Sequence, residues 1–277
     1  MQQEEHFSVN LLCELAKIPR SSYYKWLKRK VTPREQENQQ LIHAMILLYE
    51  KVEGIYGYRR LTINLSKPEK PINHKRVYRL MKLAGIKSVI RRKKKNYVRS
   101  TPQQVADNLL NREFTAEEAN EKWLTDVTEF KYGNGQKAYL SAILDLHDKS
   151  IVSYVLGHSN NNSLVFQTLV LALQVAPGSI PMLHSDRGYQ YTSWGFKRLL
   201  EAHGLTQSMS RVGKCIDNGP MEGFWGTLKC EKYYLHKYQT FQALKKDIDD
   251  YIYFYNFERL QAKLNSLSPM EFRTKAA

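Results

Sequence analysis

Three acids in this chain stand where a pair of divalent cations could be held. Asp186 follows a short apolar run (Ile180, Met182, Leu183) and precedes Arg187-Gly188, a turn that exposes its carboxylate. Glu222 lies in a helical pattern ending in Lys229, with 35 residues between the two acids. Asp126 stands in the run Trp123-Leu124-Thr125-Asp126-Val127-Thr128-Glu129-Phe130. An unpaired charge among such neighbours is costly, so Asp126 is either hydrogen-bonded or a ligand. Three carboxylates on two strands and a helix can hold two metals about 4 Å apart, the arrangement that in-line attack at a phosphodiester requires.

The other acids fit less well. Strand alternation turns Glu129 to the face opposite Asp126. Asp145 ends the next strand and is placed to support the site from behind. Asp148 belongs to a turn, and Asp217, just before Asn218-Gly219-Pro220, has the position of a cap for the Glu222 helix. Lys229 is seven residues beyond Glu222, two turns and about 10 Å along the same helix face. There it could meet a phosphate while the glutamate holds metal; the alternative is a solvated helix lysine. Ser210-Arg211-Val212-Gly213-Lys214 is a small cationic loop that either orders on nucleic acid or is an ordinary surface loop.

Positioning these groups takes a sheet. Residues 122–132 and 137–146 have strand patterns joined by a Gly133-Asn134-Gly135 turn, and 151–156 makes a third strand. A helix over 162–175, a buried strand over 180–185, a helix over 192–203 and a short strand over 205–209 follow. Helices over 219–231 and 240–258 complete the chain. Three antiparallel strands, then helix, strand, helix and strand, is the ribonuclease-H-like order: an α/β core with a mixed five-stranded sheet.

The upstream part is all-α. Val9, Leu12, Cys13 and Ala16 mark one face of a helix over 8–17. Pro19 breaks it, and Ser21 or Ser22 can cap a second helix over 23–29, giving a helix-turn-helix-like piece or a plain helical hairpin. Further helices are expected over 34–53, over 58–65 and from the Asn73 cap to Ala84, with Gly85 as the stop. This last helix is apolar at Val77, Leu80 and Met81 and cationic at Lys75, Arg76, Arg79 and Lys82. Such a helix suits entry into a major groove, or phosphate contacts alone.

Between Asn73 and Ser100 eleven Lys or Arg residues occur without one acid, and Arg91, Arg92, Lys93, Lys94 and Lys95 are consecutive. With a net charge of +15, this clustering points to a polyanion partner. The five-residue tract suits phosphate tracking without sequence choice. The 42% hydrophobic content rules out wholesale disorder. The chain has no apolar run long enough to span a bilayer and no signal pattern at its start, so a soluble cytoplasmic protein without membrane contact is expected. Cys13, Cys215 and Cys230 form no CxxC pair, which argues against a zinc cage or disulfide framework. The boundaries expected are a helix-turn-helix-like segment over 1–32, a helix-turn-helix domain with basic tail over 33–99, and a polar linker over 100–119. A catalytic core over 120–235 and a helical extension over 236–277 follow.

Several motifs together carry a family resemblance: Trp123-x-x-Asp126-x-Thr128, His184-Ser185-Asp186-x-Gly188-x-Gln190-Tyr191, Ser208-Met209-Ser210-Arg211-x-Gly213 and Asp217-Asn218-x-x-x-Glu222-x-Phe224-x-x-x-Leu228-Lys229. Tyr255-Asn256-x-x-Arg259, Leu267-Ser268-Pro269-x-Glu271-Phe272, Gly57-Tyr58-Arg59-Arg60 and Arg76-Val77-Tyr78-Arg79-Leu80-Met81 extend it over nearly the whole chain. The sequence resembles a second-reading-frame transposase of insertion-sequence family three, within the retroviral-integrase superfamily of DDE recombinases. Gly223 stands where that family commonly has Ser, and the zinc-binding domain of retroviral integrases is not found.

The resemblance implies metal-dependent DNA end cleavage and strand transfer, with Asp126, Asp186 and Glu222 holding two Mg²⁺ (or Mn²⁺). DNA contacts are also expected at Lys229, Arg187 and Arg211, beside those of the basic helix and tract. The implied partners are the element's terminal inverted repeats, target DNA, further copies of the chain on DNA, and the upstream-frame product. Two rival functions are a nuclease or junction resolvase on the same fold, and a DNA-binding regulator with an inert catalytic domain. Intact acids argue against the regulator, and joined strands would distinguish a transposase from a nuclease.

Overall fold

The computed structural model describes residues 8–89, 106–211 and 215–276. The chain divides into two units, residues 1–87 and 88–277. The tract Arg91, Arg92, Lys93, Lys94, Lys95 and the loop residues Val212, Gly213 and Lys214 lie outside the described residues.

The first unit is helical: α1 (Val9–Leu15), α2 (Arg20–Leu27), α3 (Pro33–Lys51), α4 (Tyr58–Leu65) and α5 (His74–Leu83). Pro19, not Ser21 or Ser22, occupies the cap position of α2, so that helix begins three residues earlier than its serines suggest. α3 starts in a capping box, in which Thr32 Oγ1 accepts from the Glu35 N–H and the Glu35 carboxylate accepts from the Thr32 N–H at 2.9 Å. α5 starts at Asn73, whose side chain accepts from the Lys75 N–H at 2.8 Å. Val77, Leu80 and Met81 of α5 are buried with Leu61 and Met45. Lys75 and Arg79 are exposed on α5, as a DNA-facing role requires. Arg76 is not available in that way. Its Nε donates to Asn38 Oδ1 at 2.9 Å and its guanidinium pairs with Glu37 at 2.7 Å. Being about 100° round the helix from Val77, it borders the apolar stripe and reaches α3.

The second unit is built on β1 (Lys122–Tyr132), β2 (Gln136–Asp145), β3 (Ile151–Gly157), β4 (Met182–Ser185) and β5 (Thr206–Met209). The sheet order is β3-β2-β1-β4-β5, with the first three strands antiparallel and β4 and β5 parallel to β1. Parallel neighbours need crossovers, which α6 (Asn162–Val175) and α7 (Trp194–Ala202) provide. The hairpin between β1 and β2 needs left-handed backbone, and Gly133 (φ +50°) and Gly135 (φ +95°) adopt it. Trp123, Ile143, Leu183, Val165, Leu169 and Phe196 form the core between sheet and helices. α8 (Gly219–Glu231), α9 (Phe241–Phe257) and α10 (Pro269–Ala276) follow. This is the mixed five-stranded ribonuclease-H-like sheet that the element order implied.

One expected boundary is corrected. Residues 106–119 are not a linker but a strap on the core. Leu110 is buried. The N–H groups of Leu109 and Leu110 donate to Ser208 Oγ at 3.0 and 3.1 Å, and Met209 N–H donates to Asp107 O at 3.1 Å. Polar composition disguised a segment whose backbone closes the β5 edge.

Candidate active site

Register brings the first two acids together. Leu124 of β1 pairs with His184 of β4 in parallel. Asp126 and Asp186 each lie two residues further on, so they reach the same level and the same face of neighbouring chain segments. The third acid arrives on α8, which three side chains fasten along β1. Asn218 Nδ2 donates to Thr125 O at 3.1 Å, Trp225 Nε1 to Asp126 Oδ2 at 3.0 Å, and Lys229 Nζ to Thr128 Oγ1 at 2.6 Å. Glu222 is exposed between these anchors.

The acids act on one another. Burial, then the Asp186 carboxylate and more weakly that of Glu222, push Asp126 up to about 7, against hydrogen bonds from Val127 N–H and Trp225. Burial also pushes Asp186 up, although its Oδ1 accepts from the Gly188 N–H at 2.8 Å. Among the described residues no three His, Cys, Asp or Glu side chains are grouped closely enough to hold a metal ion. The donor set itself suits hard divalent cations: burial, and at Asp126 the neighbouring Asp186 carboxylate, raise acids whose charge a cation would neutralise. Each Asp126 oxygen accepts one hydrogen bond, from Val127 N–H at 2.8 Å or from Trp225, and keeps lone-pair capacity for a ligand. Burial pulls the Lys229 ammonium down, while Asp126 and then Glu129 hold it up. Its ammonium lies against β1 at Thr128, on the strand that carries Asp126.

Along 98% of its length the chain is 39% identical to the putative transposase InsK for insertion sequence element IS150 of Escherichia coli K12, covering 95% of that protein. The chain belongs to the insertion-sequence transposases. An uncharacterized transposase-like protein of Haemophilus influenzae is 44% identical over 205 residues, 74% of this chain and 94% of that one. Family models described as an integrase core domain match residues 116–215 and, in a second model, 222–276; an HTH-like domain model matches 35–94. The solved simian T-cell lymphotropic virus intasome in complex with PP2A regulatory subunit B56 gamma shares the fold. It aligns with 83% of this chain and 74% of that one at 15% identity and a TM-score of 0.50. This transposase is therefore an enzyme with an integrase catalytic core. No described helix is long and apolar enough to cross a membrane.

Around the acids, the transposase uses several residues differently from what local sequence implied. Asp217 does not cap α8. Fully buried, it accepts from Arg112 Nε at 2.7 Å, from the Arg211 guanidinium at 2.9 Å, and from Asn108 Nδ2 and Arg211 N–H at 3.0 Å. Arg211 beside it, with Arg112, holds its carboxyl well below the usual range. Arg211 is thus paired with the buried Asp217, its side chain still 46% exposed. Arg187 Nε donates to Ser210 O at 2.7 Å, which ties the turn after Asp186 to the same segment. Asp145 does not back the site. It pairs across the hairpin with Trp123, three residues from Asp126, and therefore faces away from it. There it meets Arg273 at 2.6 Å.

The sequence assigns no role of its own to His184, quoted only within a motif, or to Trp225. His184 is buried, with Nδ1 2.8 Å from Ser208 Oγ and Nε2 3.1 Å from Ser210 Oγ. Burial pulls it down to about 4, so the ring is neutral. Ser208 Oγ already accepts from two N–H groups and must donate to Nδ1, which leaves the proton on Nε2 facing Ser210. The ring staples β4, just before Asp186, to β5. Trp225 is buried on α8, and its indole N–H also fixes the Asp126 carboxylate. The signal for it was general: a buried indole N–H needs an acceptor.

Proposed function

We propose that this transposase cuts DNA ends and joins them to target DNA by metal-dependent phosphodiester chemistry, with Asp126, Asp186 and Glu222 as the catalytic ligands. The observation that carries this reading is the shared level of Asp126 and Asp186 on one sheet face, with the Glu222 helix fastened along β1. Two Mg²⁺ (or Mn²⁺) would supply Lewis-acid stabilisation of the attacking and leaving oxygens. The chain's own part is positioning. Trp225 fixes the Asp126 rotamer, Gly188 N–H fixes Asp186, and Lys229 brings a mobile positive charge beside the acids for the phosphate next to the scissile bond. No protein nucleophile is assigned, so the DNA hydroxyl or water attacks directly. In this reading Lys75, Arg79 and the tract Arg91, Arg92, Lys93, Lys94 and Lys95 hold DNA, and copies of the chain assemble on the two inverted-repeat ends. An upstream-frame product of the same element is a further partner.

The test is an oligonucleotide carrying one element end, incubated with the full chain, Mg²⁺ and a target plasmid. Joined product is expected; hydrolysed ends with no joined strand would instead indicate a nuclease. In the same assay Lys229→Ala should lose about tenfold or more in cleavage, roughly 1.4 kcal/mol, with metal binding retained, and Lys229→Arg should keep part of the activity. Unchanged turnover and DNA affinity would reduce Lys229 to a partner of Thr128. Neutralising Arg91 to Lys95 should weaken binding to all duplex sequences alike and reduce the slope of log K against log salt by about 0.9 per lost contact. A loss confined to one sequence would show base reading by the tract.

A further inference from the structure

One large cavity plays no part in the chemistry above. It measures about 650 Å³ and lies beside α8, away from Asp126 and Asp186, within the size range of small-ligand sites. Along α8 the wall has a row of small residues, Gly219, Gly223 and Thr227 at i, i+4, i+8, flanked by Pro220 and Phe224 of the same helix. A Cβ at Gly223 would meet nothing within 4 Å. That residue is one step, about 100°, round the helix from Glu222. Aromatic side chains line the cavity as well: Phe224 from α8, and Phe114, Tyr255 and Phe272 from the other walls.

The polar groups lining it are mostly donors. Lys149 and Lys263 both line the cavity, and Lys149 is pulled down to about 8 by burial and then by Lys263. Lys149 Nζ donates to Phe114 O at 2.8 Å and Leu146 O at 2.5 Å, which leaves a third proton. Among the described residues no carboxylate forms an ion pair with Lys263. Gln261 Nε2 is shielded from solvent with no acceptor at hydrogen-bonding distance, acting on the Tyr255 hydroxyl only from further off. Arg259, the remaining cation, is already matched by Glu231 at 2.6 Å.

Aromatic faces, two ammonium groups and an unsatisfied amide donor suit one kind of guest: a flat ring bearing hydrogen-bond acceptors and attached to an anion. We propose that this cavity binds an unstacked nucleotide of single-stranded DNA, the base lying among the phenylalanines and the phosphate between Lys149 and Lys263. Base–aromatic stacking is tolerant of sequence, so the site would hold a strand without reading it. Placed against α8, a bound nucleotide would secure a displaced or frayed strand beside the helix that carries Glu222.

The test is independent of catalysis and is run in EDTA, so failure of the metal assignment would not affect it. Binding of a fluorescent octathymidylate and of a blunt duplex to the full chain is compared between wild type, Gly223→Leu and Lys263→Gln. Leucine at 223 favours helix and fills the cavity, and Lys263 is exposed, so neither change threatens the fold. Each variant should bind the single strand at least about fivefold more weakly, with duplex affinity within about twofold of wild type. Unchanged octathymidylate binding in both variants would overturn the proposal. So would equal losses for single strand and duplex, which would show only non-specific charge.

Discussion

Asp186→Asn is expected to leave a folded protein in which Mg²⁺-dependent cleavage falls by about 10³-fold or more. The loss of several kcal/mol of charge stabilisation sets that scale, at 1.36 kcal/mol per factor of ten. The substitution is nearly isosteric, and an amide Oδ1 can still accept the Gly188 N–H that shapes the turn. What is lost is the charge. Without metal that charge is a burden, because Asp186 is the chief electrostatic cause of the raised Asp126 carboxyl. In EDTA the variant should therefore melt no lower than wild type. Mg²⁺ at 100 times its dissociation constant should stabilise wild type by about 2.7 kcal/mol and the variant far less.

The pH dependence has a definite sign. Asp126 binds its proton more tightly folded (about 7) than in an unfolded chain (about 3.9). Its contribution to metal-free stability is therefore complete below about pH 4 and lost as pH rises to about 7. In Asp186→Asn this decline should shrink. Wild-type cleavage by the variant, or an undiminished Mg²⁺ shift in its melting temperature, would refute the metal assignment.

The acids were legible because each carried its context in its neighbours: a mid-strand charge, a strand-end turn and a helix with a lysine two turns on. The groups that hold them in place were not, because their partners are remote in sequence. Asp217 stands just before a helix, and capping is the local default. Its actual partners include Arg112, 105 residues away, and no local pattern contains that pairing. Arg76 looked like one more cation on a basic face until α3 was seen beside it. The strap over 106–119 has few apolar residues and the composition of a linker, yet its fixed point is Leu110, with backbone donors aimed at Ser208. Periodicity finds faces of helices and strands, whereas buried polar pairing depends on which faces meet.

Arg273 shows the same gap at the end of β2, and the second large effect is expected there. From α10 it pairs with Asp145 at 2.6 Å and also with Asp148, and both carboxylates are fully buried. Arg273→Ala would leave two buried acids whose remaining hydrogen bonds come from backbone N–H groups of Asn120, His147 and Ser150. Removing one partner of a buried ion pair costs about 3–5 kcal/mol. In a unit of this size that is a fall in Tm of roughly 10 °C. Charge, not lost packing, should dominate, and pH separates the two. Asp145 is already raised, first by burial and then by Asp148, and removing the guanidinium raises it further. A raised acid favours the folded state below its unfolded pKa and loses that advantage as pH climbs. The deficit of Arg273→Ala relative to wild type should therefore be smaller at pH 5 than at pH 8. Adding Asp145→Asn to Arg273→Ala should recover part of the loss, a coupling that a double-mutant cycle measures directly. A deficit independent of pH and untouched by Asp145→Asn would mean that Arg273 holds α10 through its aliphatic stem alone.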